Sequence, residues 1–356
     1  MIIKVRSPYF IEVNETGQVG SKIEIFIWNN GQTEPVLGAV GTYVLAKPIP
    51  SISQIKNVYN ISPFITEFID NISPLDSVNN MSVNVKVKRY KETAINVYSL
   101  LDTTSYVAVE GYTNYMNGYN QGASDNGYTI LSDASIQINY DRSISYPFVN
   151  VYALGITPFD TFNATYTDLS GSNATVVNYN SNANVMLKIP YTLSDAAYDN
   201  ANILTIQYVS GLTSKTSVIR VIPIEECKYE PVVCTFINRF GGWQFLTFFK
   251  VQINSIEAKG TGYKMLPSDV NYNPLKGQNK SFNINGGQSV RLNTGFVPEN
   301  YSDLIQDLLL SETVLLDGKP VEVKTQSNTL KTGLQDRNIN YEIEFTYSFD
   351  LINNVC

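Results

Sequence analysis

Histidine, cysteine and paired carboxylates carry out most side-chain chemistry in proteins, and this chain holds few that are placed to do so. Among its 356 residues there is no histidine, which excludes Ser-His-Asp and Cys-His catalysis, histidine-ligated zinc and imidazole acid–base steps. Three cysteines, Cys227, Cys234 and Cys356, are too few and too widely spaced for a disulfide framework or a zinc site. Cys234 falls inside an apolar run where a thiol serves as a small hydrophobe, and a reducing compartment is the simplest reading. Carboxylates alone can run glycoside hydrolysis, yet the 32 Asp and Glu residues form no cluster from which an acid and a nucleophile can be named. Gly260 and Gly262 lack the following helix that a phosphate cradle requires. No catalytic residue, cofactor or metal ligand is expected.

Two other groups point to recognition or architecture. The tract GYTNYMNGYNQGASDNG, residues 111–127, with Tyr128 after it, places Tyr112, Tyr115, Tyr119 and Tyr128 among Asn and Gly. Rigid amphipathic rings of this kind give contact area at low entropic cost, as in binding loops; a packed Ω-loop or a subunit contact is the competing reading. Its Ser-Asp-Asn-Gly end lacks the carboxylate spacing of a calcium loop. The second group is VVCTFINRFGGWQFLTFFK, residues 232–250. Both sets of alternating positions from Val232 to Ile237 are largely apolar, predicting a strand buried on both faces. Gly241-Gly242 is expected to make the tight turn, and Trp243 to Phe249 the returning aromatic strand. Trp243 is expected to pack under a helix further along the chain.

The surrounding composition favours β structure. Charged residues make up 16% of the chain and the net charge is -7, so a general nucleic-acid binder is not expected, whereas burial between subunits costs little desolvation. The run Lys86, Lys88, Arg89 and Lys91 alternates with Val85 and Val87 and reads as the wet face of a strand. No segment approaches 18 apolar residues and MIIKVRSPYFIEV alternates like a strand, so neither a membrane span nor a signal peptide is expected and synthesis is placed in the cytosol. The Asn-x-Ser/Thr triplets at Asn60, Asn163, Asn173 and Asn279 read as chance in an Asn/Ser/Thr-rich chain.

The predicted architecture is mainly β: multidomain sandwich or barrel modules with one helix packed on the C-terminal β domain. Residues 1–147 read as an N-terminal sandwich-like domain in which Ser62 caps a short helix through Asp70. Residues 148–224, nearly free of Lys and Arg, read as a small Ig-like module of short strands. Residues 225–356 read as a C-terminal β domain with hairpins at Gly286-Gly287 and Asp317-Gly318 and a helix after Pro298. Its stripe is Leu304, Ile305, Leu308 and Leu309.

Four segments in this order carry a resemblance: TYVLAKPIPS with NISPFITEFI; AVEGYTNYMNGYNQG; EECKYEPVVCTFINRFGGWQFLTFFK; and LNTGFVPENYSDLIQDLLLSETVLLDGKPVEV. Together they resemble virion structural proteins of tailed bacteriophages of Bacteroidetes hosts, including crAss-like phages. The resemblance implies a non-enzymatic building block of the neck or tail, forming a homo-oligomeric ring and contacting other neck, tail or portal-proximal proteins. It carries over no catalytic residue; Arg239, Gly241, Gly242 and Trp243 match its signature and are expected to be architectural. The C-terminal unit is also similar at fold level to tail-tube proteins, and residues 260–277 are expected to reach a neighbour. The alternative function is a carbohydrate-binding or adhesin module of a phage fibre, using the tyrosine loop.

Overall fold

The computed structural model describes residues 2–29, 32–36, 41–50, 55–70, 74, 81–118, 120, 129–132, 137–140, 150–155, 161–168, 170–172, 175–180, 185–190, 203–210, 213–224, 228–266, 270–325 and 339–353. The chain is mainly β, as its alternating sequence predicts, with two α-helices among the described residues. Tyr119, Tyr128, Cys227, Cys356, Asn173 and residues 124–127 lie outside them.

The N-terminal unit is a five-stranded sheet faced by a smaller layer. Strands β1 (Ile2–Lys4), β3 (Gly20–Asn29), β4 (Tyr43–Pro48), β6 (Ser82–Ala94) and β7 (Val97–Val109) lie in the order β1-β7-β6-β3-β4, with β1 parallel to β7. Strand β7 pairs with β6 along nearly its whole length. Ile23, Ile25, Ile27, Val83, Val85 and Val87 point into the core because a strand's period of two sends them to one face. The covering layer is β2 (Phe10–Val13) paired with β5 (Asn57–Asn60), followed by α1 (Ser62–Thr66). Ser62 does not cap that helix. Ile61 holds the cap position, and the Ser62 hydroxyl donates instead to the Ser7 carbonyl at 2.7 Å, tying the helix to the N-terminal segment.

The basic run is used inside this sheet. Arg89 faces Asp102 on the neighbouring strand in a two-bond pair, and Lys88 lies over the Phe26 ring at 4.7 Å.

The middle unit contains a three-stranded sheet, β13 (Val185–Pro190), β10 (Asn150–Gly155) and β8 (Thr129–Ile130), and a five-stranded sheet. The latter orders β12 (Thr175–Asn180), β11 (Thr161–Thr167), β14 (Ile203–Ser210), β15 (Thr213–Pro223) and β9 (Gln137–Tyr140). Gln137–Tyr140 runs parallel to Thr213–Pro223, and Thr129–Ile130 joins the three-stranded sheet. Strand pairing therefore passes to the middle unit by residue 129, before the predicted change at 148. The strands Thr129–Ile130 and Gln137–Tyr140 find their backbone partners there rather than in the first sheet.

The C-terminal unit is a seven-stranded sheet. Its order is β17 (Trp243–Phe248), β16 (Val232–Ile237), β20 (Val314–Leu316), β21 (Lys319–Val323), β22 (Ile339–Asp350), β19 (Asn279–Val297) and β18 (Ile253–Lys264). It curls around α2 (Tyr301–Leu309), so that Phe248 on β17 meets Phe345 on β22 edge to face at 5.8 Å. Leu304, Ile305 and Leu308 are buried with Phe236, Phe245 and Phe345, the arrangement the stripe predicts. That cluster continues into Phe162, Tyr166, Leu204 and Ile206, so the middle and C-terminal units share one core.

Asp317 and Gly318 both take positive φ, +46° and +77°, as the predicted two-residue turn requires. Gly286-Gly287 does not turn. Both glycines lie within the 19-residue strand β19, opposite Ala258 and Glu257. The predicted hairpin fails there because pairing with β18 on one side and β22 on the other holds the backbone extended.

Candidate functional site

Residues from several separate stretches of sequence meet where the N-terminal and C-terminal units touch. The loop joining β16 to β17 spans Asn238–Gly242 rather than two glycines, since Ile237 pairs with Trp243. Asn238 organises it. Its side-chain oxygen accepts from the backbone N–H groups of Phe240 (2.9 Å) and Gly242 (3.1 Å), and its amide nitrogen donates to the Leu131 carbonyl at 3.0 Å. Asn at the head of such a turn satisfies donors that the strand ladder no longer reaches.

The two glycines serve close approach more than turn geometry. Gly241 has φ +86°, and a Cβ there would lie 2.9 Å from the Val109 Cβ. Gly242 has no such dihedral, but its Cβ would run into the Leu131 carbonyl oxygen. Gly111 faces them from the other side, where a Cβ would stand 2.8 Å from the Arg239 carbonyl oxygen. Two backbones thus pass at a distance that only glycine permits.

Trp243 packs in this junction. It is buried with Ile2, Met81, Val107, Val109, Leu131 and Leu315, whereas Leu304 and Leu308 belong to the separate core beneath α2. The expectation that Trp243 lies under the helix stripe is therefore incorrect. Trp243, at the loop end of β17, goes to the contact with β7, whereas Phe245 and Phe248, further along the strand, go to the helix core.

Beside the hydrophobic contact is a polar one built on Asp307, a buried carboxylate in the last turn of α2. One oxygen accepts from the Tyr112 phenol at 3.0 Å and the other from the Arg239 backbone N–H at 3.1 Å. The Arg239 guanidinium lies 3.9 Å from Asp307 and 4.0 Å from Asp303, within the same chain. Arg6 lies over the Tyr112 ring at 5.2 Å, donates to the Leu310 carbonyl at 2.8 Å and pairs with Glu312 at 3.0 Å. It thereby neutralises the negative end of the helix. Burial and the Asp307 charge beside it push the Tyr112 phenol well above its ordinary pKa, so it acts as a hydrogen-bond donor and not as an acid. Chemically the arrangement is a latch.

Of the sequence candidates, Tyr112, Arg239, Gly241, Gly242 and Trp243 converge here. Tyr115 does not. It sits with Met116 on a short 3-10 turn, Tyr115–Asn117, and the two are 97% and 92% exposed. The loop that carries them is anchored at both ends. Tyr112 N–H donates to the Arg239 carbonyl, while Asn120 grips the Phe10 backbone through both its amide oxygen and its amide nitrogen. Asp307 and Asn238 were missed in the sequence; the available signal was a carboxylate three residues after Leu304, on the flank of the apolar stripe.

A second prominent surface is the pair β18 and β19. All twelve residues of β18 are exposed, and β18 ends the sheet, with no strand beyond it among the described residues. Past Gly286 towards its tip, β19 pairs only with β18, so the two form a projecting arm. Exposed apolar side chains collect on it, including Ile256, Tyr263, Leu266 and Phe282, and at the tip Val270 and Leu275 are 91% and 93% exposed. Among the described residues no three His, Cys, Asp or Glu side chains are grouped to hold a metal ion, and no helix is long and apolar enough to cross a membrane. Cys234 is a free, buried thiol whose pKa burial pushes up. No family model matches the chain, and no curated protein matches it.

Proposed function

We propose that this chain is a non-enzymatic structural protein of a tailed-phage virion that assembles with copies of itself into a ring of the neck or tail and contacts neighbouring virion proteins. The observation that carries the proposal is the projecting arm. A free strand edge of twelve residues and a tip with Val270 and Leu275 in water are surfaces that proteins ordinarily cover. The latch at Asp307 suits the same role, because it couples the N-terminal unit to the unit that bears the arm. The likeness of the four sequence segments supplies the virion context. Imaging of purified particles with this chain located in the density is the test: a closed ring at the neck or tail is expected, and a chain absent from the particles overturns the proposal.

The exposed Tyr115 ring favours one second reading, a glycan-binding module, since an open aromatic face is available for stacking. Saturable glycan binding by the monomer, lost in Tyr115→Ala, would support that reading over the ring.

A further inference from the structure

The arm differs from the rest of the molecule in charge as well as shape. Residues 253–286 contain Lys259, Lys264, Lys276 and Lys280 against Glu257 and Asp269, a net +2; the whole chain is at -7, which leaves -9 on the remainder. Lys259 pairs with Glu257 at 3.5 Å. Lys264, Lys276 and Lys280, which flank the tip, form no ion pair among the described residues. The shape of the arm is maintained internally. Met265 N–H donates to the Gln278 carbonyl at 2.8 Å, Asn273 caps the turn at Pro274–Lys276 by accepting from Leu275 N–H, and Tyr263 packs edge-on against Phe282. Gly260 leaves room for Ile284, and Gly286 for Ile256 and Leu351.

We infer that the arm docks on the acidic body of a second copy of this chain, its three tip-flanking lysines meeting carboxylates there and its apolar tip residues being buried in the contact. This rests on the ring reading and specifies the contact that would build the ring. Three observations favour a second copy as the occupant. The arm is cationic and the remainder of the same chain is strongly anionic, so two copies attract when arm meets body and repel when body meets body. The exposed strands and tip offer the roughly 20–30 residues that one side of a standard interface contributes, about 800 Å². The arm and its receiving surface are different parts of the molecule, so the contact is heterologous and repeats from copy to copy.

The test compares the full-length chain with a Lys264→Glu/Lys276→Glu/Lys280→Glu variant by native mass spectrometry and sedimentation, at 50 mM and 500 mM NaCl. Equal mixtures of light- and heavy-isotope protein are also treated with a zero-length amine–carboxylate cross-linker. Expected are assembly that weakens at least tenfold at high salt, at least tenfold weaker assembly of the variant at low salt, and mixed-isotope cross-links from an arm lysine to an Asp or Glu outside residues 253–286. The circular dichroism spectrum and melting curve of the variant should match those of the parent, because Lys264 and Lys276 are exposed and Lys280 is only partly covered. Unchanged assembly of the variant, with no mixed-isotope links from the arm, overturns the inference and leaves the ring reading standing on another contact. A chain that stays monomeric alone but joins particles through arm cross-links to a different virion protein also overturns the inference and not the ring reading. Absence of the chain from particles removes both.

Discussion

The Tyr112 phenol donates a hydrogen bond to the Asp307 carboxylate across 195 residues of sequence, and Arg239, from a third stretch, closes on the other carboxylate oxygen through its backbone N–H. A buried carboxylate is costly unless its lone pairs are met. Here the partners come from the N-terminal unit and from the hairpin loop, so the helix, the loop and the first sheet hold one another in place.

Tyr112→Phe removes the donor and leaves the carboxylate short of a partner. A hydrogen bond to a charged group contributes about 1.5–3 kcal/mol, and a loss of that size is expected in denaturant unfolding. In the double variant with Asp307→Asn the two effects should be less than additive. Strict additivity would show that the pair is not coupled.

Trp243→Ala should cost roughly 3–5 kcal/mol, the range for deleting a large buried aromatic. Its neighbours Val107 and Val109 belong to β7, so the loss should separate the N-terminal unit from the rest, seen as two melting transitions in place of one. Trp243→Phe should retain most of the contact. A single unshifted transition for Trp243→Ala would contradict the placement of this side chain.

Gly242→Ala should destabilise although its φ is ordinary, because the added methyl meets the Leu131 carbonyl oxygen, a backbone atom that cannot swing aside. Gly318→Ala provides the contrast: its φ is +77° and the space around it is open. Strain alone operates there, about 1 kcal/mol or slightly more. Thermal unfolding should rank Gly242→Ala as the more damaging of the two.

The Arg89 guanidinium, hydrogen-bonded to Asp102 across the strand pair, holds that carboxyl below its ordinary value of 3.8 against the opposing effect of partial burial. The folded pKa thus lies below the unfolded one. The stabilisation is complete above the ordinary carboxylate range and is lost as pH falls through the depressed value. With Asp102 40% exposed, solvent screening keeps the contribution to about 0.5–1 kcal/mol. Asp102→Asn should be less stable than the parent at pH 7 and should converge on it as pH falls below the ordinary carboxylate range in urea titrations; a constant gap would disprove the linkage.

Tyr115→Ala, at a fully exposed tip, should change stability by no more than about 0.5 kcal/mol. If the tip is a contact anchor, association should weaken by at least about 1 kcal/mol. Sedimentation and melting curves on the same preparations separate the two.

The sequence by itself determined whatever depends on local periodicity. Alternating valines and isoleucines specified β3 and β6, the two-sided apolar run Val232–Ile237 specified a strand buried on both faces, and Leu304, Ile305 and Leu308 specified the helix and the side it buries. Asp317-Gly318 was legible because a two-residue turn imposes its own dihedral signature. Tertiary structure alone decided which surfaces meet. Gly286-Gly287 carries the same local signal as a turn, yet flanking strands hold it extended. The need for Gly241 and Gly242 comes from Val109 and Leu131, more than a hundred residues away, and Asp307 is buried only because Tyr112 and Arg239 arrive to satisfy it. Periodicity states which face of an element is apolar; only long-range pairing chooses the partner that covers it.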